Sequence, residues 1–310
     1  MTRSIIVFGS INMDLVARVP QLPQPGETLS GYSFATVPGG KGANQAVGVA
    51  KLGGSSRMIG RVGEDAFGAE LLKSLQDAGV QTDLITVDRT ISSGVAMIAV
   101  DDRSENHIIV IPGANGNVDT SDVDRLKSVL TNSSILLLQL EIPIAIVESA
   151  ATIAKQIGAT VILDPAPAPA NFPEPLYPLI DILTPNAIET AQLVGFPIQN
   201  QSDADRAATV LQQKGAKTVV VKLGSQGAFC ATEHDRFFVP AFPVEAIDTV
   251  AAGDAFNAGL AVALSEGLPI QDAIVWGAAS GALSVTKSGA QSSLVHRSTF
   301  DAFLSQMQKP

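Results

Sequence analysis

The sequence predicts an α/β fold: a doubly wound, mostly parallel sheet with helices on both faces, joined by a small β-strand lid. Three observations carry this. Short, continuous apolar runs at residues 135–140, 160–163 and 218–223 alternate with helix-length segments, the pattern of strands buried on both faces. Glycine or an acid stands directly after several runs, at Gly9, Glu141, Asp164 and Gly224. Over 310 residues, 46% are apolar and only 16% charged, enough to bury an extensive sheet rather than leave the chain disordered.

Taken in order, residues 5–8 are a core strand that runs into Gly9-Ser10, and no separate apolar leader stands before it. Asn12 and Asp14 follow at alternating positions, so both point the same way if that segment is extended. Residues 15–19 and 27–37 read as strands about a proline-rich connector at 20–26. Gly39-Gly40-Lys41-Gly42-Ala43-Asn44 opens a helix through residue 52; its glycines permit either close approach to a ligand or close helix–sheet packing. Residues 57–62 are a strand, 69–78 a helix stopped by Gly79, and 82–87 a further β-rich run. Residues 94–100 and 107–111 form a hairpin across the turn Asp101 to Glu105. From residue 120 helix and apolar strand alternate, with strands at 135–140, 160–163, 180–183 and 218–223. A polar–apolar strand region, 237–247, precedes the small-residue helix 255–265, and helices over 270–285 and 298–307 close the chain.

Ligands of parallel sheets bind beyond the carboxyl ends of the strands, which places Glu141 well for chemistry, although a solvated acid at a helix start is the alternative. The stretch Asp248-Thr249-Val250-Ala251-Ala252-Gly253-Asp254 has almost no side-chain bulk at its helix start, so backbone N–H groups can meet an anion there. Asp254 beside such an anion hole can take a proton from an attacking hydroxyl. An acid in a first turn also simply stabilises its helix, and the local pattern leaves both readings open. The turn Gly224-Ser225-Gln226-Gly227 offers backbone to a nucleotide, alone a weak signal.

The net charge of −10 argues against nucleic acid or an acidic membrane as the main partner, so an anionic substrate must be met by N–H groups, a cation and a few placed Lys or Arg. No apolar run is long enough to span a bilayer, and the single Cys230, in an apolar strand, fits a reducing cytoplasmic setting as a buried, inert thiol. His107, His234 and His296 lack metal-ligand spacing, and Trp276 on an apolar helix reads as core.

Asp248-Thr249-Val250-Ala251-Ala252-Gly253-Asp254-Ala255-Phe256 and Gly39-Gly40-Lys41-Gly42-Ala43-Asn44-Gln45-Ala46 resemble the two signatures of the ribokinase-like carbohydrate kinases, the PfkB family. The resemblance runs over almost the whole chain and implies a single kinase domain, 1–310, with a lid from about 12–37 and 94–111. With Gly9-Ser10-Ile11-Asn12-Met13-Asp14, it points within the family to phosphorylation of D-ribose by ATP at the 5-hydroxyl, giving D-ribose 5-phosphate. It implies that Asn12, Asp14, Gly40, Lys41, Asn44 and Glu141 hold the sugar, that Asp254 is the general base, and that N–H groups of Ala251, Ala252, Gly253 and Asp254 form the anion hole. Asn186, Glu189, Lys222, Gly224, Ser225, Gly227, Gly253 and Ala278 are its nucleotide positions. Mg²⁺ arrives with ATP, and K⁺ is held by Asp248 and by backbone at Val250, Ser284, Lys287, Gly289 and Ser293. A homodimer paired through the lid edges is also implied.

Three positions depart from the family pattern. Ala187 stands where a second Glu is frequent; Lys222 replaces a frequent Thr and either contacts a phosphate or stays solvated; Ala278 replaces a polar residue beside the base, which loosens selectivity for ATP. A same-fold kinase for another sugar, a sugar acid or a nucleoside is the competing function. A silent binding protein is disfavoured by the intact anion-hole run.

Overall fold

Nine strands form the main sheet, and the chain builds it outward from β1 first in one direction and then in the other. The computed structural model describes residues 3–103 and 105–307; Ser104, in the turn of the 94–111 hairpin, lies outside them. The main sheet contains β1 (Ile5–Phe8), β4 (Ser56–Gly63), β5 (Gln81–Asp88), β8 (Ile135–Leu138), β9 (Thr160–Leu163), β10 (Ile182–Leu183), β11 (Thr218–Lys222), β12 (Gly227–Ala231) and β13 (Arg236–Pro240). Its order is β13-β12-β11-β10-β9-β8-β1-β4-β5, parallel from β11 to β5 and antiparallel across β11-β12-β13.

Alternation of side chains along the buried strands divides the core into two layers. Ile5, Val7, Ile135 and Leu137 face one side, against α1 (Lys41–Lys51), α2 (Ala66–Asp77), α7 (Ala252–Ser265), α8 (Ile270–Ser284) and α9 (Arg297–Met307). Ile6, Phe8, Leu136 and Leu138 face the other, against α3 (Thr120–Val129), α4 (Ile144–Ile157), α5 (Ala187–Val194) and α6 (Gln201–Gln213). Both faces are therefore covered by helices, as the sequence predicts. Cys230 is fully buried on β12, and burial pushes its thiol up to about 12, so it is not a nucleophile.

A separate four-stranded sheet, ordered β3-β2-β6-β7, is built from β2 (Asn12–Arg18), β3 (Ser33–Gly39), β6 (Gly94–Val100) and β7 (Asn106–Ile111). It carries exposed Tyr32, Phe34, Met97, Ile108, Ile109 and Val110 near or along its strands.

Several boundaries differ from the sequence reading, among them the start of the helix placed at 255–265, which begins at Ala252, and the strand placed at 180–183, which spans only Ile182–Leu183. Residues 27–32 are not strand: a turn closes from Glu27 N–H to Gln24 O, and Tyr32 N–H returns to Arg18 O before β3 begins. The region 237–247 is strand only to Pro240, since β13 is an edge strand and leaves the sheet beyond it. The run 135–140 leaves the ladder after Leu138, so Gln139 and Glu141 project past the strand end. The helix placed at 69–78 starts at Ala66, because the Asp65 carboxylate caps it by accepting from Gly68 N–H.

Candidate active site

The carboxyl ends of β1, β8, β9, β10 and β11 lie along one edge of the sheet, and α1 and α7 start above it. Gly40 precedes α1 with φ 87°, a left-handed conformation that suits glycine, and a Cβ there would lie 2.7 Å from Asn12 N. Gly39 plays a different part: any Cβ on it would collide with the Asp14 carboxylate. These two glycines bring the start of α1 against β2, so Asn12, Asp14, Lys41 and Asn44 share one cleft.

At the start of α7, Ala251 has φ 60°, the one positive value outside glycine among the described residues. That conformation costs roughly 1–3 kcal/mol and turns the chain into the helix. No side chain caps it. The Ala252 N–H reaches only Thr249 O at 3.3 Å, and the N–H groups of Gly253 and Asp254 meet no backbone carbonyl among the described residues. Together with the helix dipole, these donors make a helix start chemically suited to an anion.

Asp254, in the same first turn, is almost wholly buried. Its Oδ2 accepts from Asn44 Nδ2 at 3.0 Å and its Oδ1 from Gln45 Nε2 at 3.0 Å. Burial pushes its carboxyl up to about 6; Asp164 adds to the rise, while Lys41 and the two amide bonds oppose it. Asp14 is pushed up to about 7 by burial and by the nearby Glu141 and Asp254, against the pull of Lys41. For Lys41, burial favours the neutral amine, but Asp254, Asp164, Glu141 and Glu189 outweigh it and raise the ammonium pKa. Lys41 is thus a fixed cation among acids. Asn44 Oδ1 is buried with no protein donor, an acceptor suited to a hydroxyl.

Glu141 is held rather than solvated: it accepts from Ser10 Oγ and, at 3.1 Å, from Lys41 N–H. Asn115, which the sequence reading missed, fixes Asn12 by donating to its Oδ1 at 2.7 Å. Gly94, at the start of β6, packs against the Asn115 amide, and its place in the sequence reads only as the start of a strand.

On the β10–β11 side, Asn186 and Glu189 make a reciprocal cap of α5, with Glu189 accepting from Asn186 N–H and Nδ2 at 2.8 Å each. Asn186 also bridges Lys222 at the strand end. Lys222 is not solvated. Its ammonium donates to Asp164 Oδ1 at 3.1 Å and sits 3.2 Å from where a Cβ of Gly253 would stand, against the helix start. Gly224 and Ser225 are exposed on the adjoining turn, and Gly227 is buried with φ 125°. Ala278 is half-buried on α8, one turn before Gly281, which packs near Ala252 O.

Asp248 joins two segments distant in sequence: its Oδ1 accepts from Val250 N–H at 3.0 Å and its Oδ2 from Gly289 N–H at 2.8 Å. Ser284 and Lys287 are linked by a backbone bond, and Ser293 lies buried in the following turn. Among the described residues no group of three His, Cys, Asp or Glu could hold a metal, and all three histidines are exposed. Trp276 packs on Phe300 with ring centroids 4.8 Å apart. No described helix is long and apolar enough to cross a membrane.

Two residues to which the sequence reading assigns no role stand at the centre of this arrangement. Gln45 lies inside the N-terminal signature, and Asp164 directly follows β9, joined to Gln45 by a hydrogen bond from the Gln45 amide.

The model of the pfkB family of carbohydrate kinases matches residues 2–297. The ribokinase of Haemophilus influenzae is 41% identical over 304 residues, covering 98% of this chain and 99% of that protein. A deoxyribokinase of Salmonella typhimurium is 36% identical over 301 residues, covering 97% and 98%. The structure of Arabidopsis thaliana ribokinase complexed with ribose and ATP superposes with a TM-score of 0.90 at 33% identity, covering 98% of this chain and 99% of that one. The chain has the ribokinase fold. With the family model matched over residues 2–297 and ribokinases alike over nearly their whole length, the chain belongs to the pfkB family of carbohydrate kinases and is an ATP-dependent sugar kinase.

Proposed function

We propose that the protein phosphorylates D-ribose at its 5-hydroxyl, giving D-ribose 5-phosphate and ADP. The observation that carries this reading is the buried Asp254 carboxylate in the first turn of α7, whose Gly253 and Asp254 N–H groups meet no backbone carbonyl among the described residues, beside an Asn44 Oδ1 with no donor there. In this reading Asp254 accepts the proton of the attacking hydroxyl, and the N–H groups of Ala251, Ala252, Gly253 and Asp254 receive the charge of the transferring phosphoryl group. Asn12, Asp14, Gly40, Lys41, Asn44 and Glu141 hold the ring hydroxyls, since carboxylates and amides each engage neighbouring hydroxyls of a polyol. Asn186, Lys222, Gly224, Ser225 and Gly227 meet the nucleotide, with Ala278 an apolar wall near the base. The chain acts as one kinase domain, 1–310, with the β3-β2-β6-β7 sheet as the lid over the sugar.

ATP enters as its Mg²⁺ complex, and Glu189, fixed by Asn186, is the acid placed to organise that ion through water. The Asp248 segment fits a monovalent ion better than a divalent one, because its donors are one engaged carboxylate and the carbonyls of Val250, Ser284, Lys287, Gly289 and Ser293. K⁺ there would steady the loop that carries the anion hole. The exposed apolar residues and free edges of the lid sheet favour a homodimer paired lid to lid.

A coupled ADP-release assay over a substrate panel tests this reading, run with Mg-ATP and with K⁺ varied. D-ribose is expected to give the highest kcat/KM, above 2-deoxyribose, the substrate implied by the deoxyribokinase relatives, with fructose poorer through bulk. Activity should rise with K⁺ and respond little to Na⁺. A tenfold higher kcat/KM for fructose, a nucleoside, a sugar acid or 2-deoxyribose contradicts the ribose assignment, and a flat K⁺ response contradicts the role of Asp248.

A further inference from the structure

Two buried carboxylates share one amide. Gln45, fully buried, donates from Nε2 to Asp254 Oδ1 at 3.0 Å and to Asp164 Oδ2 at 3.3 Å, and its Oε1 accepts from Gln139 Nε2 at 2.7 Å. Gln139 therefore fixes which way the Gln45 amide points. Asp164 is 3% exposed and has its other oxygen on the Lys222 ammonium at 3.1 Å. That ammonium in turn lies against Gly253, at the helix start where the phosphoryl group would sit. A continuous chain, Lys222–Asp164–Gln45–Asp254, thus runs from the phosphate side of the cleft to the acid on the sugar side.

We propose that Asp164 and Gln45 are positioning residues for phosphoryl transfer, and that with Lys222 they couple the charge at the phosphate end of the cleft to the proton affinity of Asp254. This rests on the reading of Asp254 as the base. Gln45 holds the Asp254 carboxylate through one oxygen and leaves the other to Asn44. Asp164 places a second negative charge one amide away, which favours a proton on Asp254. Lys222 offsets that charge while it is paired with Asp164. An anion engaging the ammonium draws its positive charge toward the phosphate, so Asp254 then faces a less compensated Asp164 and holds a proton more strongly at the moment one must be accepted. The other groups facing Asp254 are Lys41 and Asn44 on α1 and Asp14 on β2; Lys41 acts against Asp164, and Asp14 acts with it.

The two ends of the chain predict shifts of opposite sign. Asp164→Asn keeps size and removes the charge that raises the Asp254 pKa, so the acid limb of the single-turnover rate, at saturating ribose and Mg-ATP, should move to lower pH. Lys222→Met leaves Asp164 unbalanced, so the limb should move to higher pH, by roughly one unit, the order expected of a nearby uncompensated charge. The double variant should return toward the wild-type limb. A purely structural role would change rates without moving the limbs in opposite directions. Limbs that stay in place, or that move the same way in both single variants, overturn the proposal. If Asp164→Asn does not fold, Lys222→Met decides alone, and an unmoved limb or one moved to lower pH overturns it. A wild-type enzyme with no acid limb, or one whose limb survives Asp254→Asn, would instead overturn the assignment of the base, a different result from any of these.

Discussion

Asp254→Asn should lower kcat by roughly 10²–10⁴-fold, the usual loss when a general base is removed. The amide matches the carboxylate in size, so α7 and its N–H groups should keep their places. It cannot accept a proton, and it also sets a donor against either Asn44 Nδ2 or Gln45 Nε2, which now donate to the two carboxylate oxygens. Nucleotide affinity should change little, because the turn Gly224–Gln226 and Lys222 lie on other elements. The measurement is a single-turnover rate beside the steady-state kcat, so that slow product release does not hide the chemical step. A variant keeping more than a third of the wild-type single-turnover rate would remove Asp254 from the base role.

The second large effect is expected at Asp14. In the proposed sugar pose, replacement by Ala deletes an acceptor for a ring hydroxyl, and a hydrogen bond to a charged group contributes about 1.5–3 kcal/mol, or roughly 10–100-fold in affinity. KM for ribose should rise by that factor while KM for ATP stays within a few-fold. The pH dependence follows from the same residue. Burial and the neighbouring Glu141 and Asp254 push Asp14 up to about 7. Below that value the residue carries a proton and one oxygen is lost as an acceptor, so kcat/KM for ribose should climb as pH rises through about 7 and level off above it. In Asp14→Ala that limb should disappear and leave only the lower one, assigned to Asp254. Equal rises in the two KM values, or a limb near 7 that persists in the variant, would contradict the assignment.

Much of this site is legible along the chain because its chemistry is carried by backbone. Gly39, Gly40 and the Val250–Gly253 run are visible as residues without bulk, and a helix start exposes N–H groups whatever the rest of the chain does. The alternation of Ile5 to Phe8 and of Ile135 to Leu138 between two core layers follows from strands covered on both faces, so the doubly wound sheet is legible as well. Side-chain partnerships are less so. Lys222 could not be placed from its neighbours in sequence; it is Asp164, 58 positions away, that holds it against Gly253. Gln45 and Gln139 look like ordinary polar residues, and only the packing of α1 over β8 joins them to Asp254. Strand ends were misjudged where apolar residues continue past the ladder, as at 139–140 and 241–247, because hydrophobicity marks burial and not pairing.

The identity of the phosphorylated atom tests the central claim most directly. The purified protein would be incubated with D-ribose, ATP, Mg²⁺ and K⁺, and the product examined by phosphorus–proton correlation NMR. A cleft that holds the ring hydroxyls with Asp14, Asn44 and Glu141 and turns the primary hydroxyl toward Asp254 predicts one sugar phosphate, coupled to the C5 protons, formed in step with ADP. A phosphate coupled to the C1 proton, or ADP released with no sugar phosphate, would contradict it.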